Sequence, residues 1–122
     1  MNTLLVFLGA GLGGVMRHGV NLAAVRIGSG FPYGTFAINV VGSLLMGVLV
    51  GWMALRGGDP KLRLFVATGV LGGFTTFSTF SLEAALLIER GEAGLALAYV
   101  AASVIAGIGG LFLGLAVMRA LL

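Results

Sequence analysis

The sequence predicts an all-α integral membrane protein with four transmembrane helices, the third of them broken at mid-membrane. Of the 122 residues, 59% are hydrophobic and only 9% are charged, whereas a soluble domain carries about 25% charged residues. Long apolar stretches alternate with short clusters rich in glycine, proline and charge, as is typical of loops at a membrane boundary. The third stretch is interrupted by GGFTTFSTF, at 72–80, which combines glycine, hydroxyl and aromatic side chains.

Turn clusters divide the chain and set the bounds of the spans. The clusters are GSGFPYG (28–34), RGGDPK (56–61) and ERGEAG (89–94). The spans expected between them are about 3–26, 34–55, 62–89 and 94–119, each long enough to cross a bilayer with some tilt. They use nearly the whole chain, so we expect a single domain, 1–122. The first apolar run has no side-chain positive charge ahead of it and no convincing cleavage site after it, which favours a retained span over a secretory signal.

Composition excludes several classes of function. The net charge is +3, but the basic residues are scattered, mostly at span ends, and form no stripe that would bind nucleic acid. Without cysteine there are no disulfides and no thiolate chemistry. The titratable groups are too few to assemble a catalytic set, so we expect no enzyme. GAGLGG (9–14) matches a dinucleotide-binding fingerprint, but the acid needed about 20 residues later is missing, since Asp59 is the first acid.

The charge distribution leaves the orientation in the membrane weakly specified. Four spans place both termini on the same side as the 56–63 loop. That side carries Arg56, Lys61, Arg63 and Arg119, and the other carries Arg26 and Arg90. So weak a positive-inside bias is compatible with insertion in either direction.

Small residues recur at a spacing of four along the spans. The rows are Ala98, Ala102, Ala106, Gly110 and Gly114 in the last span, Ser43, Gly47 and Gly51 in the second, and Gly9 and Gly13 in the first. Small residues at this spacing let helix backbones approach closely. We therefore expect most of these glycines to serve helix packing.

Polar side chains within the spans are candidates for function, because they are costly in hydrocarbon. Arg17 either snorkels to the membrane edge or faces an aqueous vestibule. Asn39 shares one helix face with Thr35 and Ser43, which suggests a wetted face. Tyr99 and Ser103 form a weaker pair of the same kind. Glu83 is the only acid within a span, and the residues alone leave its role open, as a proton or cation carrier or as a vestibule group. His18, the only histidine, is expected to be a packed or interfacial residue.

The break in the third span predicts an ion site. Residues 62–72 and 76–89 are each about half a bilayer long as helices. Gly72 and Gly73 weaken helix continuity, and Thr75 or Thr76 is suited to cap a new helix. Carbonyl ends of half-helices favour cations, and N-terminal ends favour anions. Aromatic ring edges and hydroxyls beyond the break suit an anion better than a metal ion. The side chains in question are Phe77, Phe80, Ser78, Thr79 and Ser81.

Three motifs resemble the small fluoride channels of the Fluc family. They are GGVMRHG (13–19), GTFAINVVGSLLMG (34–47) and, most specifically, GGFTTFSTFSLE (72–83). The last span is similar mainly in length, in its small residues and in the pair of Tyr99 and Ser103. His18 departs from the pattern, because an aromatic residue more often follows the family's arginine.

The resemblance implies a passive channel that exports fluoride through two pores in an antiparallel, dual-topology homodimer in the cell membrane of a prokaryote. It also implies a structural sodium ion at the dimer centre, held by backbone carbonyls that correspond to Gly72 and Thr75. The family's pore phenylalanines correspond to Phe77 and Phe80, its pore asparagine to Asn39 and its vestibule arginine to Arg17. The remaining polar residues expected along the pore or vestibule are Ser78, Thr79, Ser81, Tyr99, Ser103 and Glu83.

Two other functions stay open at this point. One is a proton-coupled exporter of small ions or drugs that uses Glu83, although a small drug exporter is expected to carry an acid in its first span and this chain has none there. The other is a membrane assembly subunit that transports nothing and is held by its small-residue faces.

Overall fold

The computed structural model describes residues 1–27 and 30–122. Gly28 and Ser29, which open the predicted turn cluster at 28–34, lie outside the described residues. The α-helices are α1 (Asn2–Ala24), α2 (Tyr33–Arg56), α3 (Pro60–Arg63), α4 (Gly72–Phe74), α5 (Ser78–Glu89) and α6 (Ala93–Leu121). A 3-10 turn, Val25–Ile27, follows α1, and a π-helical segment, Leu64–Leu71, joins α3 to α4.

Among the described residues, four helical stretches are long and apolar enough to cross a membrane, which confirms the predicted fold class. They are Asn2–Ala24, Tyr33–Arg56, Pro60–Glu89 and Ala93–Leu121. The third is composite, because it runs through α3, the π segment and α4 before it breaks ahead of α5.

The exposed surface of the described residues is largely apolar, as a surface facing lipid must be. Phe7, Val15, Ile105 and Phe112 are all more than 60% exposed. The largest fully buried side chains are Tyr99, Ile38, Leu87 and Thr35. Two of these four carry a hydroxyl, so the interior of the helix bundle contains polar groups as well as apolar ones.

Glycines set the distances between the spans, as their spacing predicts. A Cβ at Gly47 would clash with the backbone carbonyl of Leu111, and one at Gly114 would clash with that of Leu44. The helices α2 and α6 therefore pack backbone against backbone along much of their length. In the same way, a Cβ at Gly9 would stand 2.5 Å from the Phe65 carbonyl oxygen.

The π-helical segment is a feature that the sequence analysis did not predict. Residues 64–71 were expected to continue an ordinary α-helical half-span, but they form wider turns. This segment lies where α1 approaches most closely, with the Cα of Gly69 2.9 Å from the Cβ position of Gly9. π-helical turns are rare and occur frequently at functional sites, and this one leads directly into the break.

The connection between α2 and α3 is stabilised by residues that end one helix and cap the next. Gly57 ends α2 with φ of 73°, a conformation that favours glycine. Asp59 caps α3, because its carboxylate accepts the Lys61 N–H at 2.9 Å, and Pro60 occupies the first helical position. The third span thus starts at a fixed point just outside the apolar region.

Candidate functional site at the helix break

The break in the third span lies at residues 75–77, two residues further along than the gap at 73–75 that the sequence analysis left between the two half-helices. Gly72 and Gly73 are helical, and the chain first leaves helical geometry at Thr75, where φ is −79° and ψ is 159°. The Thr75 N–H and its Oγ1 hydroxyl both donate to the Leu71 carbonyl, each at 3.1 Å. The hydroxyl thus helps to terminate the helix by competing for a backbone acceptor.

The glycines before the break serve close packing against α1. A Cβ at Gly73 would stand 2.5 Å from the Ala10 carbonyl oxygen and 2.8 Å from the Ala10 Cα. A side chain at this position would therefore push α1 away from the break.

Asn39 of α2 satisfies the backbone that the break leaves open. Its Nδ2 donates to the Thr76 carbonyl at 3.0 Å, and the Thr76 N–H donates to its Oδ1 at 2.9 Å. In a continuous α-helix that N–H would bond to the Gly72 carbonyl. Irregular backbone at membrane depth persists only where such groups find partners or line a cavity, and one carboxamide from the neighbouring helix supplies both partners.

On the carbonyl side of the break, two predicted site residues border the same space. Gly72 is exposed, Thr75 is half-buried, and both line a cavity of about 430 Å³ beside the break. Among the described residues no three His, Cys, Asp or Glu side chains gather as a metal site. A cation at this place would therefore be bound by backbone carbonyls, which are the hard oxygen ligands that Na⁺ prefers.

Beyond the break, hydroxyl groups start the new helix. The Thr76 Oγ1 accepts the Thr79 N–H at 3.3 Å, so Thr76 acts as the cap that its position predicted. The Ser81 hydroxyl donates to the Phe77 carbonyl at 3.0 Å. Its proton is therefore held within the helix. Ser78 is the first residue of α5 and is exposed.

Phe77 and Phe80 lie together on one face, as their spacing predicted. Their ring centroids are 5.7 Å apart, with the planes tilted by 49°. Phe77 is 78% exposed, whereas Phe80 is half-buried and packs against Tyr99 at 5.1 Å. An aromatic side chain so exposed beside a polar break presents a surface that another molecule is suited to cover.

The cavity beside the break collects several of the predicted site residues from α2, the break and α6. Its walls are Asn39, Ser43, Gly72, Thr75, Thr76, Phe77, Phe80, Ser103 and Val104. None of these side chains carries a formal charge. The Ser103 Oγ is buried and has no hydrogen-bond partner among the described residues, which is unusual for a buried polar group.

A second polar cluster lies towards the end of the protein that carries the α1–α2 and α5–α6 connections. Tyr99 is fully buried, and its hydroxyl donates to the Glu83 Oε1 at 3.3 Å. Its ring stands edge-on to Phe31, with centroids 5.4 Å apart. The carboxylate of Glu83 thus has a partner on α6.

Two further cavities border Glu83. One, of about 280 Å³, also contains Asn21, Thr35 and Thr79, and the other, of about 260 Å³, contains Arg90. The sequence analysis did not assign a role to Asn21 or Arg90. Asn21 follows Arg17 by one helical turn, and this spacing could have indicated a second polar residue on the same face. Arg90 was interpreted only as a charge at the end of a span.

Arg17, predicted as a vestibule residue, lies apart from these groups in the described residues. It is half-buried on α1, next to the exposed His18, and it lines neither the cavity at the break nor those beside Glu83. Within this single chain, the structure therefore does not bring Arg17 together with the other predicted site residues.

Residues 4–115 match the family model described as "CrcB-like protein, Camphor Resistance (CrcB)". The chain belongs to the CrcB-like family. Similar proteins include one from Methylobacterium nodulans, 64% identical over 98% of this chain and 97% of its own length. Another, from Novosphingobium aromaticivorans, is 61% identical over 96% of this chain and 95% of its own. A third, from Rhodopseudomonas palustris, is 57% identical over 99% of each.

Each of these relatives bears the name "Fluoride-specific ion channel FluC". The matches confirm the resemblance inferred from the three motifs. With four apolar spans and bacterial relatives along its whole length, this CrcB-like chain is a multi-pass protein of a bacterial cell membrane.

Proposed function

We propose that this chain forms a fluoride-selective channel that exports cytoplasmic fluoride passively, and that it has no enzymatic activity. The observation that carries the proposal is the uncharged cavity beside the break, where the unpartnered Ser103 hydroxyl stands among aromatic rings. The name shared by the relatives supplies the identity of the ion.

The chemistry of this cavity suits a small anion. Fluoride is strongly hydrated, so a pore must replace its water with hydrogen-bond donors at short range. Ser103 offers a hydroxyl group in the cavity wall, and the edges of Phe77 and Phe80 offer weak positive potential. Tyr99 lies behind Phe80 and is proposed to act further along the path. No carboxylate lines the cavity, so fluoride meets no fixed negative charge there. Asn39 contributes by holding the backbone of the break in place.

The polar residues outside this cavity are proposed to extend the path. Thr79 and Glu83 border the cavity towards the α5–α6 end, where Tyr99 bonds to Glu83. Ser78 and Ser81 stand on the first turn of α5, close to Phe77. Arg17 is proposed to join a vestibule once a second subunit is present.

The working unit is proposed to be an antiparallel homodimer with two pores. Three observations support a second copy: Phe77 is 78% exposed, Gly72 is exposed beside it, and the charge bias across the membrane is weak. In such a dimer the Gly72 and Thr75 carbonyls of both subunits would meet at the centre and hold a structural Na⁺.

The direction of transport follows from fluoride chemistry. Neutral HF crosses membranes from acidic surroundings and dissociates inside, which traps the anion. A passive anion-selective pore lets the negative membrane potential expel it. The cell thereby gains resistance to fluoride without expending energy on transport.

The test is fluoride release from vesicles that contain Phe80→Leu. Leucine keeps much of the volume but removes the ring edge from the cavity, so we expect the release rate to fall about five- to tenfold. Phe112→Leu is the matched control, since Phe112 is 63% exposed on the outer face of α6. Equal release by wild type and F80L would contradict the assigned pore.

A proton-coupled exporter is the second candidate, because Glu83 is held by Tyr99 and bordered by two cavities. It predicts release that requires a proton gradient and is lost in Glu83→Gln. Protein that is folded but releases nothing under any gradient would instead favour the assembly subunit.

A further inference from the structure

We propose that Arg90 attracts fluoride into the channel through the cavity that it shares with Glu83. This inference rests on the proposed function and adds an entry site to it. The site lies at the end of the protein where α5 connects to α6, outside the cavity at the break.

The site is formed by the C-terminal end of α5 and the residues that precede α2. The cavity of about 260 Å³ is lined by Gly30, Phe31, Pro32, Glu83, Leu86, Leu87 and Arg90. Arg90 directly follows α5, and its N–H donates to the Leu86 carbonyl at 3.0 Å. Glu83 lies seven residues earlier, which is two helical turns, and so on the same face. A cation at this end of a helix is also favoured by the helix dipole.

The cavity of Arg90 adjoins the second cavity that borders Glu83. It shares Phe31, Pro32 and Glu83 with the cavity of about 280 Å³ that contains Thr35 and Thr79.

From there, contacts continue inward towards mid-membrane. Glu83 accepts the Tyr99 hydroxyl at 3.3 Å, and the Tyr99 ring packs on Phe80 at 5.1 Å. Phe80 in turn lines the cavity at the break. Packed side chains therefore link the cavity of Arg90 to the cavity at the break, and an anion held beside Arg90 stands at the outer end of this row of contacts.

Charge explains why this entrance needs an arginine. The carboxylate of Glu83 repels an approaching anion, and Arg90 is the only cation among the residues that line this cavity. In the described part of the chain, no carboxylate lies within ion-pair distance of the guanidinium. The nearby acids Glu89 and Glu92 are exposed and outside the cavity lining, so they add no charge to the cavity wall. Arg90 is exposed as well, and its guanidinium beside this cavity raises the local concentration of anions to the extent that salt does not screen it.

The alternative role for Arg90 is structural, as a cap that fixes the end of α5. An electrostatic role depends on ionic strength, because the distance over which a charge is felt falls from about 20 Å at 20 mM salt to about 4 Å at 0.5 M. A structural role does not depend on ionic strength in this way. Salt therefore separates the two.

The experiment is fluoride release from vesicles at low and high concentrations of an impermeant salt. The variants are Arg90→Gln, Arg90→Lys and, as a control with the same change in net charge, Arg119→Gln in the last turn of α6. At low salt we expect R90Q to release fluoride about threefold more slowly than wild type. At high salt the difference should disappear. R90K should retain most of the rate, and R119Q should match wild type at both salts.

Each outcome decides the inference. R90Q equal to wild type at low salt overturns it, and so does an R90Q defect that is the same at both salts, which would show a structural role. A defect in R119Q as large as that in R90Q would also overturn it, because net charge alone would then explain the result. Wild-type vesicles that release no fluoride would overturn the proposed function and this inference together.

Discussion

Asn39 shows how much of the break depends on one side chain. Its carboxamide bonds to both backbone groups of Thr76, at 3.0 and 2.9 Å. A polar residue in an apolar span is usually interpreted as a pore lining or as helix–helix glue. Here the described contacts assign it a backbone-supporting role, and its place in the cavity wall adds the possibility of contact with an ion.

We predict that Asn39→Leu destabilises the protein by about 2–6 kcal/mol, because two partly buried backbone groups lose their partners at about 1–3 kcal/mol each. The measurement is the unfolding midpoint of the purified protein in detergent. Ser43→Ala, one turn further along the same cavity wall, is the control and should shift the midpoint little. An N39L midpoint equal to that of wild type would show that the break is held by other contacts.

At the scale of elements, the helices pack mainly by bringing their backbones close together at glycine residues. Glycines on α2 and α6 face backbone atoms of the opposite helix, whereas Gly109 has open space where a Cβ would stand. Replacing glycine by alanine should therefore destabilise the pair of helices at Gly47 but not at Gly109.

We predict that Gly47→Ala costs about 1–3 kcal/mol of stability, because its Cβ would overlap the Leu111 carbonyl and force α2 and α6 apart. Gly109→Ala, as the matched control, should be neutral or slightly stabilising, since alanine favours the helix by up to about 1 kcal/mol. Unfolding midpoints of the two variants check this. A G47A protein as stable as G109A would contradict the packing of the two helices.

Sequence could predict the spans and the existence of the break, because hydropathy and the polar motif at 72–80 are local signals. It placed the break two residues early, since the exact position depends on the hydrogen bonds of Thr75 and Thr76 to nearby backbone and on Asn39 from another helix. The π-helical segment was missed because it accompanies the approach of α1, which no local pattern encodes. Arg90 was missed although its spacing of seven residues from Glu83 is a local signal, because only the folded chain shows that Phe31 and Pro32 complete a cavity around the pair.

At the scale of the whole molecule, the lack of cysteine makes the proposed antiparallel dimer directly testable. The variant Lys61→Cys carries a single cysteine in the first turn of α3, next to the α2–α3 loop. If insertion occurs both ways, a membrane-impermeant thiol reagent should label about half of the molecules. Glu92→Cys, at the opposite end, should also react in about half. Complete labelling of one variant and none of the other would establish a single orientation and contradict the dimer.

The central claim is that the chain is a passive, fluoride-selective channel. The most direct measurement is ion release from vesicles containing the purified wild-type protein, with an imposed potential, no proton gradient, and chloride as the comparison ion. We predict rapid fluoride release and no chloride release. Equal release of both ions would contradict selectivity, and fluoride release that appears only with a proton gradient would contradict a channel.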